Sequence, residues 1–157
     1  MKKKRTILAA AVASALPLAA AEPTGFAFWS STLLKGYTAK LAPRVDEKKV
    51  AVEHLGKFGH HAALIGHRQG DGEAELHETQ TDIFVVQEGK ATLVVGGRVV
   101  DSRTTAPGEI RGPSIEGGEK HPLSPGDVVN IPARTAHQVL VPQGGQFTYL
   151  VIKVDAP

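Results

Sequence analysis

From Val50 onward, short apolar runs alternate with turn residues: VAVEHL, HAALIGHR, DIFVVQ, ATLVVGG, VVD, DVVNIP, HQVLVP and FTYLVIKV. No helical period separates them. Short strands bounded by glycine, proline and charged clusters predict an all-β sandwich or barrel. Upstream, FAFWSSTLLKGYTAKLAP has a different rhythm. Ser30 or Ser31 is placed to cap a helix, Leu33, Tyr37 and Leu41 recur every four residues on one face, and Pro43 ends the pattern. This short amphipathic helix is expected to lie across the outside of a sheet, anchored by Phe26, Phe28 and Trp29. RVDEKK is a polar connector. The weakly patterned stretch DSRTTAPGEIRGPSIEGGEKHPLSPG is expected to form irregular loops with one short strand around Glu109 to Ile115.

The first twenty-one residues follow neither pattern. MKKKR is a basic head, ILAAAVASALPLA is an apolar stretch too short and alanine-rich for a membrane span, and Ala19, Ala20 and Ala21 supply small residues before Glu22. Residues 1–21 therefore read as an export signal, 22–49 as a helix and connector, and 50–157 as one β-domain, with a periplasmic or secreted product. Cleavage removes Lys2, Lys3, Lys4 and Arg5, so the 18 basic residues, less these four, leave 14 against 16 acidic ones. The basic balance belongs to the leader. The mature domain has no block of lysine or arginine, which argues against a nucleic-acid partner, and no stable membrane insertion is expected after cleavage.

With 157 residues, 17 glycines and 10 prolines, the chain suits one domain of many short strands. It has no cysteine, which excludes a disulfide framework, a thiolate metal site and a catalytic thiol. There is also no Gly-x-Ser-x-Gly elbow, phosphate-binding loop or dinucleotide glycine fingerprint.

The chemistry concentrates in ELHETQTDIFVVQEG, residues 75–89. In a strand, Glu75 and His77 point the same way. After the turn, Asp82 shares a face with Phe84 and Val86, whose apolar character marks that face as the inner one. Two carboxylates and an imidazole buried together need compensation, and a divalent cation is the usual one. Downstream, in PGDVVNIPARTAHQVLVP, His137 starts a strand just after a turn. Glu75, His77, Asp82 and His137 would together offer two nitrogens and two oxygens. One divalent transition metal fits such a set, and iron, manganese, zinc and nickel are all admissible.

These residues resemble the two motifs of the cupins. The first family motif reads Gly, five residues, His-x-His, three or four residues, Glu, six residues, Gly. Here four residues separate Gly70 from Glu75, Glu75 and His77 stand at the histidine positions, Asp82 at the glutamate position, and Gly89 follows after six residues. In the second motif Gly126, Pro132 and His137 keep the family spacing, while Arg134 replaces a glycine and Val141 an asparagine. The resemblance spans roughly residues 62 to 154. It implies a cupin-type antiparallel β-barrel, the jelly-roll-like double-stranded β-helix, and a metal held by a variant ligand set. Cupins also commonly pair through sheet edges, which implies a homodimer.

Two functional readings follow. One is an exported metalloenzyme acting on a small oxygenated molecule, of dioxygenase, isomerase or lyase type. The other is a noncatalytic cupin that binds a small molecule or metal. In either case the candidate ligand contacts are His67, Phe84, Arg111, His121, Gln138 and Tyr149. His67 and Arg68 also read as a solvated strand end, and Tyr149 as a core residue.

Overall fold

The computed structural model describes residues 23–156, so the expected leader lies outside the described residues. The first element is α1 (Ser31–Leu41). The Ser30 hydroxyl caps it by accepting the Leu33 N–H at 3.2 Å, satisfying one of the donors that a helix start leaves free. A 3-10 turn over Ala42–Arg44, with Pro43 inside it, ends the helix. The buried stripe runs through Leu34, Tyr37, Thr38 and Leu41, the i, i+3, i+4, i+7 pattern of a helix with one face on a core. Leu33, expected on that face, is instead 47% exposed. The expected anchors Phe26 and Phe28 are exposed too, and only Trp29 packs, edge-on to Phe58 with ring centroids 6.0 Å apart.

Thirteen strands follow among the described residues: β1 (Val50–Phe58), β2 (His61–Arg68), β3 (Ala74–His77), β4 (Gln80–Gly89), β5 (Ala91–Val95), β6 (Arg98–Val99) and β7 (Arg103–Ala106), then β8 (Glu109–Gly112), β9 (Ile115–Glu116), β10 (Glu119–Leu123), β11 (Val128–Ile131), β12 (His137–Leu140) and β13 (Phe147–Asp155). One sheet has the order β1-β2-β13-β4-β11 and the other β10-β5-β12-β3-β8-β7, while β6 and β9 form a separate ribbon. The pairing is antiparallel throughout, as in β13 with β4 and β3 with β8. The sheets stay open at their edges, so the architecture is a two-sheet jelly roll rather than a closed cylinder.

The stretch expected to be mostly loop holds β7, β8, β9 and β10. The single strand expected around Glu109 to Ile115 is two, parted at Pro113 and Ser114. β7 and β10 escape the hydrophobic pattern because they are the edge strands of the second sheet, held by backbone pairing: all four residues of β7 are exposed, and in β10 only Leu123 is buried.

The main core lies between the sheets. Phe84 and Val86 of β4, with Phe147, Tyr149 and Val151 of β13, meet Leu93 of β5 and Val139 of β12. A second core lies outside the first sheet, where α1 covers Ala51 and Ile65. Gly89, which ends β4, has φ +82°, and a Cβ there would collide with the Gln146 carbonyl oxygen. Only glycine fits this close approach.

Candidate metal centre

Strand register assembles the site from pairs of residues facing each other across neighbouring strands. Glu75 and His77 share one face of β3, where Arg111 and Glu109 of β8 stand opposite them. Glu75 also stands opposite His137 of β12. In the other sheet, Asp82 of β4 faces Lys153 of β13. One donor atom from each of Glu75, His77, Asp82 and His137 lies within 4.8 Å of the others, and the last three residues are buried. The structure thus gathers the four residues that the spacing singles out. His77 Nε2 lies 3.3 Å from Asp82 Oδ2 and 3.5 Å from Glu75 Oε2. His137 Nε2 is 3.8 Å and 3.7 Å from the same two oxygens.

Both imidazoles are anchored from behind. His77 Nδ1 is 2.9 Å from the Glu109 carboxylate, and His137 Nδ1 is 3.1 Å from the Thr135 carbonyl. Each acceptor draws the ring proton to Nδ1 and leaves Nε2 aimed at the cluster, the arrangement that orients a metal-ligating histidine. His137 Nε2 is buried and has no hydrogen-bond partner. A buried polar atom without a partner is costly, and a cation between the four donors would satisfy it. The donor set, nitrogen and oxygen with nothing soft, fits a divalent transition metal.

A cationic side chain also reaches the cluster. Lys153 Nζ is 2.8 Å from Asp82 Oδ1 and 3.1 Å from His77 Nε2. Arg111 Nη1 lies 2.9 Å from Glu75 Oε2, and Arg68 Nη2 lies 3.7 Å from Glu75 Oε1. Burial favours the neutral form of Glu75, but His77, Arg111, His137 and Arg68 outweigh it and lower its carboxyl to about 2. Burial likewise opposes charge on His77, yet Asp82 and Glu75 prevail and raise the imidazole to about 9. For His137 burial dominates and pushes the imidazole down. Burial also works against the charged form of Asp82, but His77 and Lys153 overcome it and hold the carboxyl down.

Beside the cluster is a cavity of about 160 Å³, with Glu75 and Asp82 in its wall together with Phe84, Arg111, Tyr149 and Lys153. Phe84 packs edge-on against His137 and Tyr149. The Tyr149 hydroxyl accepts a hydrogen bond from Arg68 Nε at 3.0 Å. Phe84, Arg111 and Tyr149 thus stand where a ligand beside the cluster would touch them. His67, Gln138 and His121 do not. His67 is fully buried on the helix side of β2, hydrogen-bonded through Nδ1 to Thr148, which in turn bonds Thr38 of α1. Gln138 donates to the carbonyls of Gly72 and Pro113 and stitches loops together behind its sheet. His121 is exposed on β10, in a groove with Val128 and Asn130.

The solvated strand end expected at His67 and Arg68 is corrected on both counts, since one is buried under the helix and the other lies in the cavity wall. Glu109 and Lys153 carry no motif. Lys153 nevertheless continues the Tyr149, Val151 alternation by one step, and that period is the signal that could have found it.

No protein-family model and no curated protein matches the sequence. Solved structures do match. KdgF from Halomonas sp. superposes with a TM-score of 0.52 at 18% identity, covering 71% of this chain and 83% of that one. A protein with a double-stranded β-helix domain from Klebsiella pneumoniae gives 0.52 at 12% identity, covering 71% and 81%. Rru_A2000 from Rhodospirillum rubrum, a cupin-2 domain, gives 0.50 at 16% identity, covering 68% and 60%. At such identities likeness speaks for architecture, and the chain has the fold of the cupin superfamily.

Proposed function

We propose that the protein is an exported, small metal-binding cupin that holds one divalent transition metal through Glu75, His77, Asp82 and His137 and acts on a small oxygenated molecule in a dioxygenase, isomerase or lyase type of reaction. The observation that carries this reading is His137 Nε2, buried without a partner and facing three other donors. A bound ion would supply Lewis-acid polarisation of a substrate oxygen. The chain's own residues do the rest. Glu109 and Thr135 hold the two rings in the ligating orientation, and Phe84 and Tyr149 wall the adjoining cavity. Export rests on the MKKKR head and the alanine-rich stretch behind it. Among the described residues no helix is long and apolar enough to cross a membrane. The cupin likeness also supports a homodimer formed through sheet edges, which light scattering of the mature protein checks.

Lys153 favours a second reading. Its ammonium already neutralises Asp82 and touches His77 Nε2, as the charge in a noncatalytic, metal-free binder would. Elemental analysis of the mature protein separates the two. The metal reading expects about one transition metal per chain, lost in the His77→Ala, His137→Ala double variant and kept in His61→Ala. It also expects tighter binding in Lys153→Met, which removes a competing cation from the site. No metal in the wild type or in Lys153→Met, after incubation with iron, manganese, zinc and nickel, would decide for the metal-free binder.

A further inference from the structure

We infer that the cavity beside the cluster takes a small carboxylate anion, a substrate class that rests on the metal-binding reading above. Three cationic side chains, Arg68, Arg111 and Lys153, line this one cavity, together with the Tyr149 hydroxyl. Glu75, Asp82 and Glu109 stand against these three cations, and Asp46 acts on Arg68 as well. A divalent ion shared by Glu75 and Asp82 would add two positive charges to that cluster. In a partly buried cavity such added charge is expensive, and an anionic ligand offsets it where a neutral one does not.

The polar groups suit that anion. Arg68 and Arg111 present planar forks, the geometry that pairs with a carboxylate in bidentate fashion. Arg68 gives its Nε to Tyr149, and its Nη2 is 3.7 Å from Glu75, beyond direct hydrogen bonding. Arg111 Nη1 is buried 2.9 Å from Glu75 Oε2, yet is aligned with no acceptor. Both guanidinium groups therefore keep donors to offer a ligand. The apolar part of the wall, from Leu64, Phe84 and Val151, receives the rest of the molecule.

Lactate and propane-1,2-diol test the charge directly, because they differ at the carboxylate and share the rest of their skeleton. Calorimetry on the mature protein, with manganese occupancy followed by electron paramagnetic resonance, is expected to show lactate binding to the manganese-loaded wild type. Binding should be about tenfold or more weaker without metal and in Arg111→Met, and partly restored in Arg111→Lys. The diol should bind at least tenfold more weakly than lactate. Arg111→Met should hold manganese at least as tightly as wild type, since it loses a cation beside Glu75. That opposite movement of metal and anion is not what general damage to the site produces. Should Arg111→Met fail to fold, Arg68→Met on a different strand and the lactate-diol contrast in the wild type carry the same test. Manganese bound with lactate no better than the diol would overturn the anion assignment and leave the metal reading standing. No binding of manganese, iron, zinc or nickel by the wild type or by Lys153→Met would overturn both.

Discussion

Arg134 shows what a departure from the family motif does to a single residue. It stands where the motif has glycine, and its φ is +63°, in the left-handed region that penalises a Cβ. Its backbone N–H donates to the His77 carbonyl at 2.7 Å, so the turn that carries this strain also ties the loop before His137 to the strand of His77. Arg134→Gly should relieve the turn and stabilise the protein by up to about 1 kcal/mol, measured by urea denaturation, with metal stoichiometry unchanged. Lower stability would show that the Arg134 side chain contributes more than its backbone costs. Asp82 was legible at this scale because Phe84 and Val86 mark its side of the strand. Arg68 was not, since a charged residue at a strand end reads as solvated until the cavity beside it is known.

At the scale of elements, antiparallel register does the chemistry's positioning. Glu75 facing Arg111, His77 facing Glu109 and Asp82 facing Lys153 are cross-strand neighbours, the closest side-chain relation a sheet offers. A strand beginning at Glu109 was legible, but its ladder with β3 was not, because the partner of a strand depends on strand order and register rather than on its own residues. The helix was legible from its caps and period, and one position of its stripe was misread because a spacing of four, followed alone, drifts from the true 3.6-residue turn. α1 shields the outer face of the first sheet through Leu41, which is fully buried against that face. Leu41→Ala should cost about 2–5 kcal/mol in urea denaturation through lost burial and the cavity left behind. A change below 1 kcal/mol would mean that the helix contributes little to holding the sheet.

For the whole molecule, the ionic cluster couples folding to pH and to metal. The His77 imidazole titrates near 9 in the folded protein against 6.5 for an unperturbed one. Its contribution to the stability of the metal-free protein is therefore fully present below pH 6.5 and is lost as the pH rises through 9. His137, whose pKa is lowered, is neutral in both folded and unfolded chains above 6.5 and adds no slope there. Thermal denaturation of metal-free protein should show a decline of a few kcal/mol across this alkaline window, flattened in His77→Gln. Metal reverses the slope: ligation needs neutral His77, so apparent metal affinity should rise over the same window and the bound ion should raise the melting temperature. A flat alkaline limb in the wild type would show that the carboxylates do not hold the proton on His77.

Fold class, the helix at the start of the described chain and the trio Glu75, His77 and Asp82 were determined by local sequence, because alternation, caps and motif spacing act between residues close along the chain, while His137 was legible only through the spacing of a second motif. The cations that share the site, the acceptors behind each histidine and the choice of which histidines stand aside were decided only by tertiary structure. Lys153 lies 71 residues from Asp82, and Glu109 lies 32 from His77. Pairings that distant depend on strand order and register, which emerge when two sheets close over one core. The same closure turned His67 toward the helix, since neighbours in a strand face opposite ways and the face of Arg68 was already committed to the cavity.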